Sequence, residues 1–163
     1  MVGGWSSSSR NKFVKSLSKA HEALITQLIG LHGEDGLCPK RADWTEILLR
    51  PDDEALNILN LLRFRPQAQT EGGAISGLQA YANYSAAVAS TFVRAGGKTL
   101  YFGRVDHIFG TVGGTDWHAA ILTQYPSPVA LASFWLDEEF IAAHKYRANG
   151  VEQSRVLVMS ALR

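Results

Sequence analysis

Cysteine is nearly missing from this 163-residue chain, and so is any excess of charge of one sign. Cys38 stands alone, so it can close no internal disulfide, and without a CxxC neighbour it cannot found a cysteine-built zinc site. A reducing compartment is expected, with the cytoplasm as the default. Sixteen Lys and Arg against fifteen Asp and Glu leave +1, which gives no field to draw in nucleic acid or an anionic membrane surface. No run reaches the roughly 18 apolar residues that a bilayer span requires. The start, Met1 to Arg10, lacks the charged opening, apolar run and small-residue cleavage site of a secretory leader, so no membrane partner is expected.

Catalytic signatures are scarce too. HExxH spacing and a GxSxG nucleophile elbow are missing, and any metal site would have to be assembled from distant segments, so no cofactor is expected. Gly110-Thr111-Val112-Gly113-Gly114 lacks the lysine-serine ending of a phosphate loop and opens no evident helix, which removes that reading. What remains is an ordinary globular composition, 46% hydrophobic and 19% charged, enough for one sizeable core.

The centre of that core is predicted at Ala55 to Phe64, the longest strand-like run. Leu56, Ile58, Leu62 and Phe64 point one way and Leu59 with Leu61 the other, so both faces need cover, as in a strand between two layers. Asn60 interrupts the first of these faces. A polar amide there is either satisfied by neighbouring backbone or part of a binding site.

Residues 1–10 are small and polar and predict a disordered arm anchored only by Trp5. From Asn11 to about His32, apolar residues fall at helical spacing, and Gly30 followed by His32-Gly33-Glu34-Asp35-Gly36 ends the run. A short helix is predicted at Asp43 to Leu49 with Asp43 as its cap and Glu46 three residues on. Residues 1–53 thus form an N-terminal arm and helical extension, and 54–163 the main domain. After the first strand and a loop at Arg65 to Gly73, Ser76 caps a helix that runs to Ala95 and stops at Gly96-Gly97. A strand follows from Lys98 to Val105, bent at Gly103, with His107-Ile108-Phe109 as an edge continuation. Trp117 to Tyr125 is the next strand, with Trp117, Ala119, Ile121, Thr123 and Tyr125 on one face. Ser127-Pro128 opens a helix, Asp137 starts another, and Val151 to Ala161 ends the chain as a strand. Strand, helix, strand, strand, helix, strand is the α+β, ferredoxin-like βαββαβ order, with helices on one sheet face and the other left open. A second copy closing that face, as a homodimer, is the expected partner.

Asn60-Leu61-Leu62-Arg63-Phe64-Arg65, Gly77-Leu78-Gln79-Ala80-Tyr81-Ala82-Asn83-Tyr84, Gly96-Gly97 and Tyr125-Pro126-Ser127 together resemble the domain-of-unknown-function family 1330 of the dimeric α/β-barrel superfamily. The resemblance covers about residues 45–163. It implies a ferredoxin-like protomer whose sheet pairs with another to form a dimeric α/β barrel around a mostly apolar cavity. The wider superfamily includes cofactor-independent monooxygenases, polyketide cyclases, lactone isomerases, haem enzymes and members without known activity, so it selects no reaction. Many members carry Trp-Asp where this chain has Trp117-His118, so the role of that carboxylate does not transfer.

The candidate site residues follow from polar and aromatic groups set into strands. Asn60, Arg63 and Arg104 could bind ligand oxygens, the arginines by bidentate contacts, with ion pairs to Asp106, Asp116 or Glu152 as the structural alternative. Trp117 and Tyr125, with Phe102 and Phe109, could line an aromatic cavity or simply pack the core. His107, His118 and Tyr84 are the candidates for moving a proton, while His21, His32 and His144 fit structural or solvated places. Tyr81, three residues from Tyr84 on the helix, fits the core stripe. Two functions remain open at this level. One is a metal-independent enzyme of cyclase, isomerase or monooxygenase type acting on an apolar, oxygen-rich small molecule. The other is a non-catalytic ligand-binding or accessory module that docks through its N-terminal helix.

Overall fold

A nine-residue strand that is apolar on both faces must lie inside a sheet, and this requirement organises the molecule. The computed structural model describes residues 16–34, 36–109 and 116–160. In chain order the elements are α1 (Lys19–His32), α2 (Arg41–Leu48), β1 (Leu56–Phe64), β2 (Ala68–Thr70), β3 (Gly73–Ile75), α3 (Gly77–Arg94), β4 (Lys98–Arg104), β5 (Ala119–Tyr125), α4 (Pro128–Leu136), α5 (Glu138–Gly150) and β6 (Val151–Met159). The main sheet has the order β4-β5-β1-β6 and all its neighbours are antiparallel. With the N-terminal helices placed before it, this is the ferredoxin-like α+β fold. Asn60 sits opposite Ile121 on one side and Val156 on the other.

Leu56, Ile58, Leu62 and Phe64 are buried and face the helices, and Ala119, Ile121 and Tyr125 continue that face across β5. Burying each such large apolar side chain contributes about 1.5–3 kcal/mol. On α3 the buried residues Tyr81, Tyr84, Val88 and Thr91 recur at intervals of three and four, one helical stripe laid on the sheet. Ser76, Ser127 and Asp137 cap α3, α4 and α5 by accepting from Gln79, Ala130 and Glu139 N–H groups.

Two ties hold α3 against α5. At one end the Arg65 N–H donates to Gly150 O (2.9 Å) and the Gly77 N–H to Arg65 O (3.1 Å). The helices approach so closely there that a Cβ on Gly150 would stand 2.5 Å from Gly77 O, and one on Gly77 would overlap the carbonyl oxygens of Arg65 and Gly150. At the other end the Thr91 hydroxyl donates to Glu139 (2.5 Å), and Arg94 bridges Asp137 (3.1 Å) and Glu139 (3.2 Å).

The N-terminal helices do not stand apart. Ile25 and Leu28 of α1 and Trp44, Ile47 and Leu48 of α2 belong to the same core as the sheet residues. The His32 Nε2–H donates to the Trp135 carbonyl (2.7 Å), which ties the end of α1 to α4. Among the described residues no helix is long and apolar enough to cross a membrane.

Several local expectations are corrected. The first helix begins at Lys19 rather than Asn11, because the Ser18 side chain accepts from the His21 N–H and fixes the start; residues 16–18 are not helical, and residues 1–15 lie outside the described residues. Asp43 is not the cap of α2 but its third residue, reaching back to accept from the Lys40 N–H (2.8 Å). The segment 65–75 is not all loop, since β2 and β3 form a small hairpin. The irregularity of β4 is a bulge at Leu100, not a bend at Gly103, and residues 107–109 are not a strand. Gly110 to Gly114 and Ala161 lie outside the described residues.

Replacing Gly77 or Gly150 by alanine tests the close approach. Gly77 and Gly150 are the first and last residues of their helices, where alanine gains less than the roughly 1 kcal/mol of a helix interior, while the overlap with backbone costs about 1–3 kcal/mol. Both variants are expected to lower the urea midpoint, and a midpoint at or above wild type in both would show that the contact is loose.

Candidate functional site: a cleft between sheet and helices

The helices do not cover the sheet completely. Between them lies a cleft of about 1180 Å³ whose lining includes Asn60, Ile121, Thr123 and Tyr125 from the sheet, Tyr81 and Tyr84 from α3, Phe134 and Trp135 from α4, and Arg147 from α5. Residues of α2 and of the segment before it, among them Cys38 and the buried Trp44, also line it. The cleft therefore lies within one protomer, and Asn60 faces the helices rather than the open face of the sheet.

The walls are aromatic and mutually braced. Tyr84 lies 5.5 Å from Tyr81 and 6.2 Å from Phe140 between ring centroids, and Tyr125 lies 5.5 Å from Phe92 and 5.7 Å from Phe134. Burial, outweighing the nearby Arg147 charge and, at Tyr81, a hydrogen bond with Ser85, holds the Tyr84 and Tyr81 phenols above their ordinary pKa, and burial raises Tyr125 in the same way. All three are thus neutral hydroxyls at working pH, able to donate a hydrogen bond to a ligand but poorly suited to act as bases. Asn60 is half-buried, and its amide is held by no described group, unlike the satisfied core amide that was its structural alternative.

Of the residues chosen from sequence, Asn60, Tyr84 and Tyr125 are brought together in this cleft, with Phe102 at its edge. The others are placed elsewhere. Arg63 pairs with Glu152 (3.1 Å) and Arg104 with Asp106 (2.6 Å), both the ion-pair alternatives. The Phe64 N–H donates to His118 Nδ1 (3.0 Å), so that ring finishes the edge of β1 and is not part of the lining. His107 is exposed next to Phe109 (6.4 Å), and Trp117 precedes β5; neither lines the cleft. Tyr84 is therefore the one proton-moving candidate that the cleft contains. Among the described residues no three His, Cys, Asp or Glu gather as metal ligands.

Two residues were missed. Arg147 is only 6% exposed, and His144 packs 5.4–5.7 Å from Phe140, His32 and Trp135, rather than on a solvated helix face. Their signal was present: Phe140, Ala143, Arg147 and Gly150 fall at helical spacing, so the arginine lies on the buried stripe of α5. Neither His144 Nε2 nor Arg147 Nη1 has a hydrogen-bond partner among the described residues.

No family model matches this chain, and no curated protein matches it. Among solved structures, a protein of unknown function from Rhodopseudomonas palustris is 26% identical, with 77% of this chain and 95% of that chain covered and a TM-score of 0.69. The methylated form of that protein is again 26% identical, covering 78% and 96%, with a TM-score of 0.71. A dimeric protein of unknown function and ferredoxin-like fold from Bacteroides fragilis is more distant, at 14% identity, 66% and 96% coverage and a TM-score of 0.44.

His144 predicts a pH dependence. Burial first, then the Arg147 and His32 charges, lower its pKa to about 4 from an ordinary 6.5. The unfolded chain therefore takes up a proton that the folded one refuses, so this contribution is complete above pH 6.5 and is lost as pH falls from there towards 4. The urea midpoint of wild type should drop across that window and that of His144→Phe should drop less. Parallel curves for the two proteins would refute the assignment.

Proposed function

We propose that this protein binds an apolar, oxygen-bearing small molecule in the cleft between its sheet and helices. The observation that carries the reading is Asn60, a half-buried amide that no described group satisfies, on the sheet side of a cleft lined largely by aromatic and aliphatic side chains. A site with a few convergent polar groups set into apolar walls is the usual form of a small-molecule pocket. The supply of donors, Asn60 and the neutral phenols of Tyr81 and Tyr84, suits the orientation and polarisation of a carbonyl or enolate oxygen. Metal-independent cyclase, isomerase or monooxygenase chemistry is compatible with such donors, and ligand binding without turnover is the simpler form of the same proposal.

A second reading concerns assembly. Leu59 and Leu61 of β1, Leu122 of β5, Tyr101 of β4 and Leu157 of β6 lie on the sheet face away from the helices. Tyr101 is 55% and Leu157 39% exposed. This apolar centre, bordered by Asn57, Gln124 and Arg155, has the composition of an interface between two copies, and supports the dimeric α/β-barrel reading. By contrast, docking through α1 has little support, because the buried residues of that helix are spent on the protein's own core.

For the cleft, the neutral aromatic amide 2-naphthamide is expected to quench the fluorescence of Trp44 and Trp135 saturably, and Asn60→Leu should weaken it by about tenfold, the worth of one hydrogen bond to a buried group, without lowering the urea midpoint. Absence of saturable quenching in wild type would overturn the reading. For assembly, light scattering should give a dimer for wild type and a monomer for Leu122→Arg; a wild-type monomer at micromolar concentration would refute it.

A further inference from the structure

Arg147 is a buried cation with no ion-pair partner among the described residues. Its side chain lines the cleft, it is 94% removed from solvent, and its Nη1 is fully enclosed with no hydrogen-bond partner among the described residues. Removing an unpaired charge from water is among the costlier things a fold can do, and guanidinium cannot escape by losing its proton. The neighbours do not compensate. The groups that face it are the phenols of Tyr81 and Tyr84 from α3 and the neutral His144 from its own helix, none of them anionic at working pH.

The carboxylates of the lining are all elsewhere. Asp43 and Glu46 are exposed on α2 at the rim, and Glu54 is engaged by Arg50 (3.2 Å) and Ser160 (3.0 Å). Arg50, the other arginine of the lining, is satisfied by that same pair. One cation in the cleft is therefore neutralised and one is not, and the second is the deeper.

Resting on the small-molecule reading of the cleft, we infer that its ligand is an anion, an aromatic carboxylate whose charged end is held by Arg147 and the hydroxyls of Tyr81 and Tyr84, with its flat body against Tyr125 and Phe134. The chemistry is specific in three respects. A guanidinium presents paired N–H donors that match the two oxygens of a carboxylate. Two neutral phenols one helical turn apart add O–H donors to the same oxygens without adding charge. The aromatic walls take a planar body and leave only one end of the site for the charge.

The test compares 2-naphthoate with 2-naphthamide, which have the same body and differ in charge, by calorimetry on the full chain at low salt. Wild type should bind the carboxylate at least tenfold more tightly. Arg147→Met should lose that preference while still binding the amide, and its urea midpoint should equal or exceed that of wild type, since an unpaired buried charge has been replaced by an apolar chain. In wild type, the Arg147 side-chain nitrogen resonances should shift on addition of 2-naphthoate and much less with 2-naphthamide, a readout that does not depend on any variant folding. Equal affinity of wild type for the two compounds, or a preference that survives in folded Arg147→Met, would overturn the anion assignment and leave the cleft reading standing. Failure of both compounds to bind wild type would overturn the cleft reading and this inference with it.

Discussion

The close approach of Gly77 and Gly150 is the constraint on which the rest of the molecule depends. Three chain segments meet there, the end of β1, the start of α3 and the end of α5, joined by two backbone hydrogen bonds through Arg65. Only residues without side chains permit that spacing. Its effect is felt one turn away in each helix. Tyr81 follows Gly77 by four residues and Arg147 precedes Gly150 by three, so the contact brings the phenols of α3 and the guanidinium of α5 to the same end of the cleft. The polar clamp of Thr91, Arg94, Asp137 and Glu139 then fixes the opposite ends of the two helices. The two helices are thus tied to each other at both ends.

The two sides of β1 carry different tasks. The even-numbered residues Leu56, Ile58, Leu62 and Phe64 hold the helices, with Asn60 set among them as the one polar group. The odd-numbered Leu59 and Leu61 serve the open face. Period-two alternation makes this division strict, because a shift of one residue in register would exchange the two sets and put the amide on the wrong side. The pairing of Asn60 with Ile121 and Val156 is thus what turns the amide towards the cleft.

Most of the framework was legible in the sequence because it rests on local rules. Ser76, Ser127 and Asp137 cap helices where short polar side chains precede apolar stripes, β5 and β6 follow from alternation, and β1 from a run that is apolar on both faces. Legibility failed where a local preference had two solutions. Asp43 offered a cap but serves from the third position instead, and the apolar spacing from Asn11 onward hid Ser18, where the first helix in fact starts. For the site, Asn60, Tyr84 and Tyr125 were visible as polar or aromatic interruptions of apolar elements. Arg147 was not, because an arginine two residues after a lysine in a charged helix reads as solvated unless its phase relative to Phe140 and Gly150 is followed. His118 and Arg104 attracted notice for their chemical capacity, but the bonds they make to Phe64 and Asp106 are set by tertiary neighbours that no local pattern reveals.

Both edge strands carry one surplus residue. Leu100 is extra in β4 between Thr99 and Tyr101, and Glu152 is extra in β6 opposite the step from Arg63 to Phe64, where it meets the Arg63 guanidinium. Such interruptions twist an edge and break the even row of unpaired donors and acceptors that another chain would need to extend the sheet. The sheet is therefore blunted against lateral growth into fibres, and its two rims are closed to the open-ended polymer that a straight apolar strand as long as β1 would otherwise invite.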